Sequence, residues 1–116
     1  MTPLQEHFLT QAGPFEMTMD DLRVICAVNQ HYYFDPQTAR AFKATFPRNP
    51  ILLNGFAYVY ETQAAGPKPA DGRKINIVQV RLSDCYVRRV FSTQSKKAAN
   101  AEWAAIEQAA KEGKQC

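Results

Sequence analysis

Hydrophobic residues follow a helical period at the start and the end of the chain, and an alternating pattern lies between them. Apolar positions recur at helical spacing between Met19 and Asn29. Thr18 lies just before this stretch and Asp21 lies in its first turn, and together they form a capping-box-like pair. The pattern therefore predicts a helix from Met19 to about Asn29.

A second helix is predicted to begin where Asp35 precedes Pro36. Aspartate is a favourable N-cap residue, and proline is well tolerated at the first helical position because its missing N–H would be unsatisfied there anyway. Pro47 and Pro50 are predicted to end this helix. Its apolar side is expected to carry Ala39, Phe42 and Phe46.

The period changes from 3.6 to 2 after Asn54 and Gly55, which is typical of strands. Three antiparallel strands are predicted, over residues 56–61, 74–82 and 85–92. The alternation in the second strand is interrupted, which indicates a β-bulge. A loop rich in Gly and Pro connects the first two strands.

The final element is predicted to be a helix that begins at Ser95 and ends at Gly113. Its apolar stripe consists of Ala99, Trp103, Ile106 and Ala110. We therefore expect an α+β fold, with two N-terminal helices, a three-stranded antiparallel sheet and a C-terminal helix packed on the sheet, all helices on one face. We expect a flexible lead-in over residues 1–14 and a single domain over residues 15–113, as the length of 116 residues suggests.

The positive charge of the chain is concentrated in one stretch. Residues 68–97 hold eight Lys or Arg against two Asp, whereas the whole chain has a formal net charge of +3. Such a concentration indicates a binding surface for nucleic acid or for an acidic protein, and a solvated sheet face is the alternative. The predicted binding residues are Arg73, Lys74, Arg81, Arg88, Arg89, Lys96 and Lys97.

Residues suited to catalysis or metal binding are few. Three cysteines without CxxC spacing argue against a disulfide framework and a zinc site, and Cys26 and Cys85 lie in apolar contexts typical of a core. Neither His7 nor His31 stands in a metal-binding motif. We therefore expect no enzyme activity, no cofactor, no metal and no small-molecule substrate. A weaker alternative is an enzyme built on Cys26 and His31.

The hydropathy pattern argues against a membrane-spanning segment. No run approaches the roughly 18 apolar residues that span a bilayer, and the amino terminus lacks the features of a secretory signal. We expect a cytoplasmic protein, in the host cell if a phage encodes it.

Several short motifs together resemble small uncharacterised proteins of phages and prophages. These motifs are YYFDPQTARAF, GFAYVYET, a basic strand ending in QVRL, and FSTQSKKAANAEWAAI, which together span about residues 28–106. The resemblance implies a phage-borne accessory protein. Small proteins from such regions often counter host defence, so it implies an anti-CRISPR or a similar inhibitor.

A second resemblance is to the later part of a double-stranded RNA-binding domain. YETQAAGP, two strands and SKKAANAEWAA look like that family, whose last helix begins with SKKxAK and holds phosphates through its lysines. Ser95, Lys96 and Lys97 match, whereas Asn100 stands where the family has its third lysine, and no histidine follows Gly66 and Pro67. This resemblance implies phosphate binding by the lysines at the helix start.

Two functions follow from the sequence as expectations. The first is a non-enzymatic, phage- or prophage-encoded inhibitor that binds a bacterial defence complex, or another host protein, through a basic surface. The alternative is a domain that binds the backbone of nucleic acid.

Overall fold

The structure, a computed structural model, describes residues 3–10 and 17–114. Within them lie four helices and four strands, together with a short 3-10 helix at Pro69–Asp71. The helices are α1 (Pro3–Thr10), α2 (Met19–Val28), α3 (Pro36–Ala41) and α4 (Lys96–Lys114). The strands are β1 (Ile51–Leu53), β2 (Phe56–Ala64), β3 (Arg73–Arg81) and β4 (Tyr86–Thr93).

The strands form one antiparallel sheet in the order β1-β2-β3-β4. The α+β class is confirmed, but the sheet has four strands where the sequence predicted three. The additional strand, β1, has only three residues and pairs with β2 across a two-residue turn. Asn54 and Gly55 both have positive φ in this turn, at 53° and 83°, as a tight hairpin with matching twist requires.

The start of α2 is held by the predicted capping box. The Thr18 hydroxyl accepts a hydrogen bond from the Asp21 N–H at 3.1 Å, and the Asp21 carboxylate accepts one from the Thr18 N–H at 3.0 Å. Two backbone donors at the helix start are thereby satisfied. Asp20 forms an ion pair with Arg23 at 2.8 Å, so both acidic residues serve the first turns of the helix.

The helices cover both faces of the sheet, and this corrects the expectation of a single covered face. Val59 and Val78 point to one face, where they pack in a cluster with Leu22 and Ile25 of α2. We call this the α2 face. Tyr60 and Ile77 point to the other face and pack with Ala99 and Trp103 of α4. We call this the α4 face. Because successive strand residues point to opposite sides, one sheet supports two cores.

The register between β3 and β4 shifts by one residue between Ile77 and Val78, which is a β-bulge, but the bulge does not lie in the second strand as the sequence predicted. Ile77 pairs with Phe91 and Val78 pairs with Arg89, which leaves Val90 of β4 as the additional residue. Regular alternation over residues 85–92 would place Arg89 and Phe91 on the same face. The bulge places Arg89 on the α2 face and Phe91 on the α4 face.

Residues 3–10 differ from the flexible lead-in expected over residues 1–14. They form α1, whose Gln5 is fully buried and whose Leu4, Phe8 and Leu9 pack against the cluster on the α2 face. The Gln5 side-chain amide donates a hydrogen bond to the carbonyl of Leu82. The other residues of the expected lead-in lie outside the described residues.

Helix α3 begins as predicted and ends earlier. The Asp35 carboxylate accepts a hydrogen bond from the Gln37 N–H at 3.1 Å, with Pro36 at the first helical position. The helix ends at Ala41, because Lys43 adopts a positive φ of 52° that reverses the chain. Phe42 therefore does not lie on a buried helix side, and 65% of it is exposed.

Candidate functional site: a cationic end and an adjacent pocket

The structure divides the seven predicted binding residues among three places. Arg81 and Arg88 lie on the α4 face, near the end of the sheet where Arg81 pairs with Phe56. Arg89 lies on the α2 face. The remaining four lie at or next to the opposite end of the sheet, and these are Arg73, Lys74, Lys96 and Lys97. The seven side chains therefore do not form one shared surface.

Arg81 and Arg88 already have hydrogen-bond partners within the chain. Two nitrogens of the Arg81 guanidinium donate to the two carboxylate oxygens of Asp84, at 2.8 and 2.6 Å. This contact lowers the pKa of Asp84 to about 2. The Arg88 guanidinium donates to the side-chain oxygen of Gln79 at 2.9 Å. Asp84 offsets the charge of Arg81, whereas Gln79 is neutral and orients Arg88 without offsetting its charge.

The opposite end of the sheet brings together four of the predicted residues and two further lysines. The Arg73 guanidinium donates to the carbonyl of Lys43 at 2.9 Å, although thirty residues separate them. The side chain of Gln94, two residues before Lys96, donates to the carbonyl of Asp71 at 3.2 Å. We call this group the cationic end, and its members are Lys43, Lys68, Arg73, Lys74, Lys96 and Lys97.

The cationic end has little opposing charge nearby. Asp71 is the only acidic residue in the segments 38–46, 62–75 and 93–101. Its carboxylate accepts the Lys68 N–H at 2.9 Å. Among the described residues, Arg23 forms an ion pair with Asp20 and Arg81 forms one with Asp84. Neither pair includes any of the six cations of the cationic end.

Helix α4 adds the positive end of its dipole to the same place. It begins at Lys96, and the Ser95 hydroxyl accepts the Ala98 N–H at 3.2 Å, as the sequence predicted for its cap. The helix is 19 residues long, and the aligned peptide dipoles leave partial positive charge at its start. Lys96 and Lys97 therefore lie where an anion is already favoured.

A cavity of about 250 Å³ lies between the α3 segment and the α2 face. We call it the α3 pocket. Its walls are mainly apolar, and Glu61, Gln63 and Arg89 contribute polar groups. The lining residues are Tyr33, Thr38, Ala39, Phe42, Ala44, Glu61, Gln63 and Arg89.

The floor of the α3 pocket is a buried hydrogen-bond network around Glu61. Only 1% of Glu61 is exposed, and its two carboxylate oxygens accept the Tyr33 hydroxyl and the Asn76 amide, each at 2.7 Å. The Asn76 oxygen in turn accepts the Ser92 hydroxyl at 2.7 Å. A carboxylate without these partners would be costly to bury, so the network permits its position.

Tyr33 shows the effect of this environment on acidity. Burial and the neighbouring Glu61 carboxylate raise the pKa of Tyr33 to about 12, because both disfavour the phenolate. The adjacent guanidinium of Arg89 opposes this shift and lowers the pKa of Tyr33. The hydroxyl therefore stays protonated at neutral pH and donates to Glu61.

The α3 pocket and the cationic end are neighbours. Lys43 stands between Phe42 and Ala44, which both line the pocket. Lys74 pairs with Gln63 across β2 and β3, so their side chains leave the sheet on the same side. The sequence did not predict this pocket, because Tyr33 and Asn76 contact Glu61 from distant parts of the chain. The one local sign was an acidic residue at an inward position, after Ala57 and Val59.

The two cysteines of the described chain are part of the core, as predicted. Cys26 and Cys85 are buried in the cluster on the α2 face, whereas Cys116 lies outside the described residues. Contact with Cys85 and burial raise the pKa of Cys26, which disfavours the thiolate that a cysteine nucleophile needs. His31 is exposed.

Among residues 3–10 and 17–114, no group of three or more His, Cys, Asp or Glu side chains is arranged to hold a metal ion. Within the same ranges, no helix has the length and apolar character that crossing a bilayer requires. Comparison with protein-family models, curated proteins and solved structures found no match to this chain.

Proposed function

We propose that the protein binds the phosphate backbone of nucleic acid through its cationic end. The observation that carries this proposal is the group of six cations around the start of α4, with Asp71 as the one acidic residue in the segments 38–46, 62–75 and 93–101. Phosphate contacts of this kind supply affinity and position with little sequence information. The protein would then act as a backbone-binding domain, without a catalytic step.

The arrangement of the C-terminal half supports this proposal. Strands β2, β3 and β4 are followed by a helix on the sheet, and the loop containing Lys68 lies at the same end as the start of α4. This layout resembles the later part of a double-stranded RNA-binding domain. Helix α2 packs on the opposite face from α4, so the proposal includes the lysines of α4 and of the loop and no contact by α2.

A salt titration tests the proposal. Fluorescence anisotropy with RNA and DNA duplexes of about 16 base pairs, the span of one such domain, measures affinity at several salt concentrations. Phosphate contacts predict that log affinity falls linearly with log salt, with a slope of about −0.9 per contact for a duplex. Failure to bind any duplex at about 50 mM salt would refute the proposal.

A second candidate function is inhibition of a bacterial defence complex by a phage-encoded protein. The observation that favours it is an apolar stripe on the outer side of α2, where Val24 is 54% and Val28 is 60% exposed. Residues four apart on a helix lie side by side, and exposed apolar pairs suit protein contacts. Tyr32, beyond the helix, is 55% exposed.

Phage plating efficiency tests this second candidate. A host with an active nuclease defence is compared with and without expression of the protein. Inhibition predicts more plaques with the wild-type chain and fewer with a Val24→Asp, Val28→Asp variant. The control is a Glu102→Gln variant, at an exposed position of α4. Equal plating with and without the wild-type protein would contradict this function for the defence tested.

A further inference from the structure

We propose that the α3 pocket binds a nucleobase, either that of a free nucleotide or an unstacked base of a single strand. The pocket combines aromatic walls with a buried carboxylate, that of Glu61, and an exposed guanidinium, that of Arg89, and both groups act on Tyr33. This goes beyond the proposed function, because backbone binding at the cationic end needs no pocket for a base.

The size and walls of the pocket suit a flat ring. Its volume of about 250 Å³ is below the range of about 300–1,000 Å³ that is usual for ligand sites, which restricts the ligand to a small one. Phe42 lines the pocket and is 65% exposed, so its ring is available at the mouth to lie against a planar ligand. Aromatic side chains bind unstacked bases in this way, because every base has a π face.

The polar groups of the pocket favour a ligand with a donor beside an acceptor. An ionised carboxylate has about four acceptor positions, and Glu61 uses two of them for Tyr33 and Asn76. The Arg89 guanidinium can only donate, and it lies close enough to Tyr33 to lower the pKa of that hydroxyl. The pocket therefore offers an acceptor next to a donor.

This pairing favours a ligand that carries both a donor and an acceptor. A hydrocarbon would use neither the remaining acceptor positions of Glu61 nor the guanidinium of Arg89. A carboxylate would be attracted by Arg89 and repelled by Glu61, and for an amine the reverse holds. A nucleobase edge carries N–H donors beside oxygen or nitrogen acceptors, so it satisfies both groups without net charge.

The position of the pocket also suits the phosphate of a nucleotide. Lys74 leaves the sheet on the same side as Gln63, and Lys43 follows Phe42 in the chain. A base in the pocket would place its attached sugar and phosphate at the mouth, near these two lysines. We therefore expect nucleoside monophosphates to bind more tightly than the corresponding nucleosides.

Isothermal titration calorimetry of the full chain tests the inference. The probes are the four ribonucleosides, their monophosphates, inorganic phosphate and a short single-stranded RNA. We expect at least one base to bind as a monophosphate and more weakly as a nucleoside. If the single-stranded RNA binds more tightly than the monophosphates, the ligand is an unstacked base of a strand. If the monophosphates bind more tightly, the ligand is a free nucleotide.

Two variants with matched controls locate the site. Phe42→Ala removes an exposed ring and should weaken base binding about tenfold or more, since stacking on an aromatic side chain contributes about 1–3 kcal/mol per base. Tyr86→Ala removes an equally exposed ring on the α4 face and should have no effect. Arg89→Gln should weaken binding, and Arg88→Gln should not.

The inference is wrong if no nucleoside or monophosphate binds, if inorganic phosphate binds as tightly as every monophosphate, or if Phe42→Ala and Arg89→Gln bind like the wild type. Its failure is distinct from failure of the proposed function. If the protein binds duplexes with the expected salt dependence but binds no nucleobase, only the inference about the α3 pocket is refuted. If it binds a nucleobase but no duplex, only the proposal of backbone binding is refuted.

Discussion

Arg88 and Arg89 are neighbours in the chain and lie on opposite faces of the sheet. Arg88 pairs with Gln79 on the α4 face, and Arg89 pairs with Val78 on the α2 face, where it lines the α3 pocket. Two side chains of identical chemistry are therefore exposed to different surroundings. This makes substitution of one a control for substitution of the other.

The first prediction concerns the acidity of Tyr33. Because Arg89 lowers the pKa of Tyr33, Arg89→Gln should raise that pKa above its present value of about 12. Arg88→Gln should leave it unchanged. The measurement is a pH titration of the Tyr33 ring carbon signal by NMR. An equal shift in both variants would show that Arg89 acts through overall charge and not through its position.

A second prediction concerns stability at high pH. The pKa of Tyr33 is raised by folding, from 10.0 to about 12, so its contribution to stability is complete below pH 10 and is lost as the pH rises through about 12. Tyr33→Phe removes this dependence. Urea unfolding at about pH 9 and about pH 11 should show a larger fall in the wild type than in the variant. Parallel falls would contradict the assignment.

A third prediction concerns the network below the pocket. Glu61→Ala leaves the Tyr33 hydroxyl and an Asn76 amide hydrogen without their acceptor. An unsatisfied buried donor costs about 1–3 kcal/mol, so this variant should lose at least that much free energy of unfolding. Glu61→Gln keeps one of the two acceptor oxygens and should lose less. Urea denaturation followed by circular dichroism measures both, and equal losses would argue against a satisfied network.

A fourth prediction concerns the lysines at the start of α4. Lys96→Gln with Lys97→Gln should leave folding nearly unchanged, since both side chains are exposed. Each lost phosphate contact reduces the salt slope of nucleic-acid binding by about 1, so the double variant should reduce it by about 2. Lys111→Gln, exposed near the other end of the helix, is the control. An unchanged slope in the double variant would remove these lysines from the interface.

A fifth prediction tests the core on the α4 face. Trp103 is 3% exposed, and its ring meets that of Tyr60 edge to face at 5.6 Å. Trp103→Ala should lower the free energy of unfolding by about 3–5 kcal/mol, because it removes a large buried ring and leaves a cavity. Glu107→Ala, on the exposed side of the same helix, should change it by less than about 0.5 kcal/mol. Similar values for the two would contradict the packing.

The elements that the sequence predicted well are those specified by adjacent residues. The capping pair of Thr18 and Asp21 fixes the start of α2, and Asp35 with Pro36 fixes the start of α3. Trp103 lies in an apolar stripe whose spacing defines the buried side of α4. Each of these patterns acts within one or two helical turns, so no knowledge of the fold is needed to interpret it.

The features that the sequence did not predict depend on contacts between distant segments. Strand β1 is three residues long and is defined by its pairing with β2. Helix α1 is anchored by Gln5, which bonds to the carbonyl of Leu82. The faces of Arg89 and Phe91 depend on the register shift at Val78. The charge count identified the basic stretch, but the strand register determines which of its cations lie close together in the fold.

The bulge in β4 also bears on self-association. This strand forms one edge of the sheet, and a straight edge offers a ladder of free backbone groups to a second chain. Val90 interrupts that ladder, and a second copy of this edge would bring its own Arg88 and Arg89 towards these two, with like charges on both faces. The same irregularity that separates the two arginines thus makes the open edge of the sheet a poorer template for pairing with a second chain.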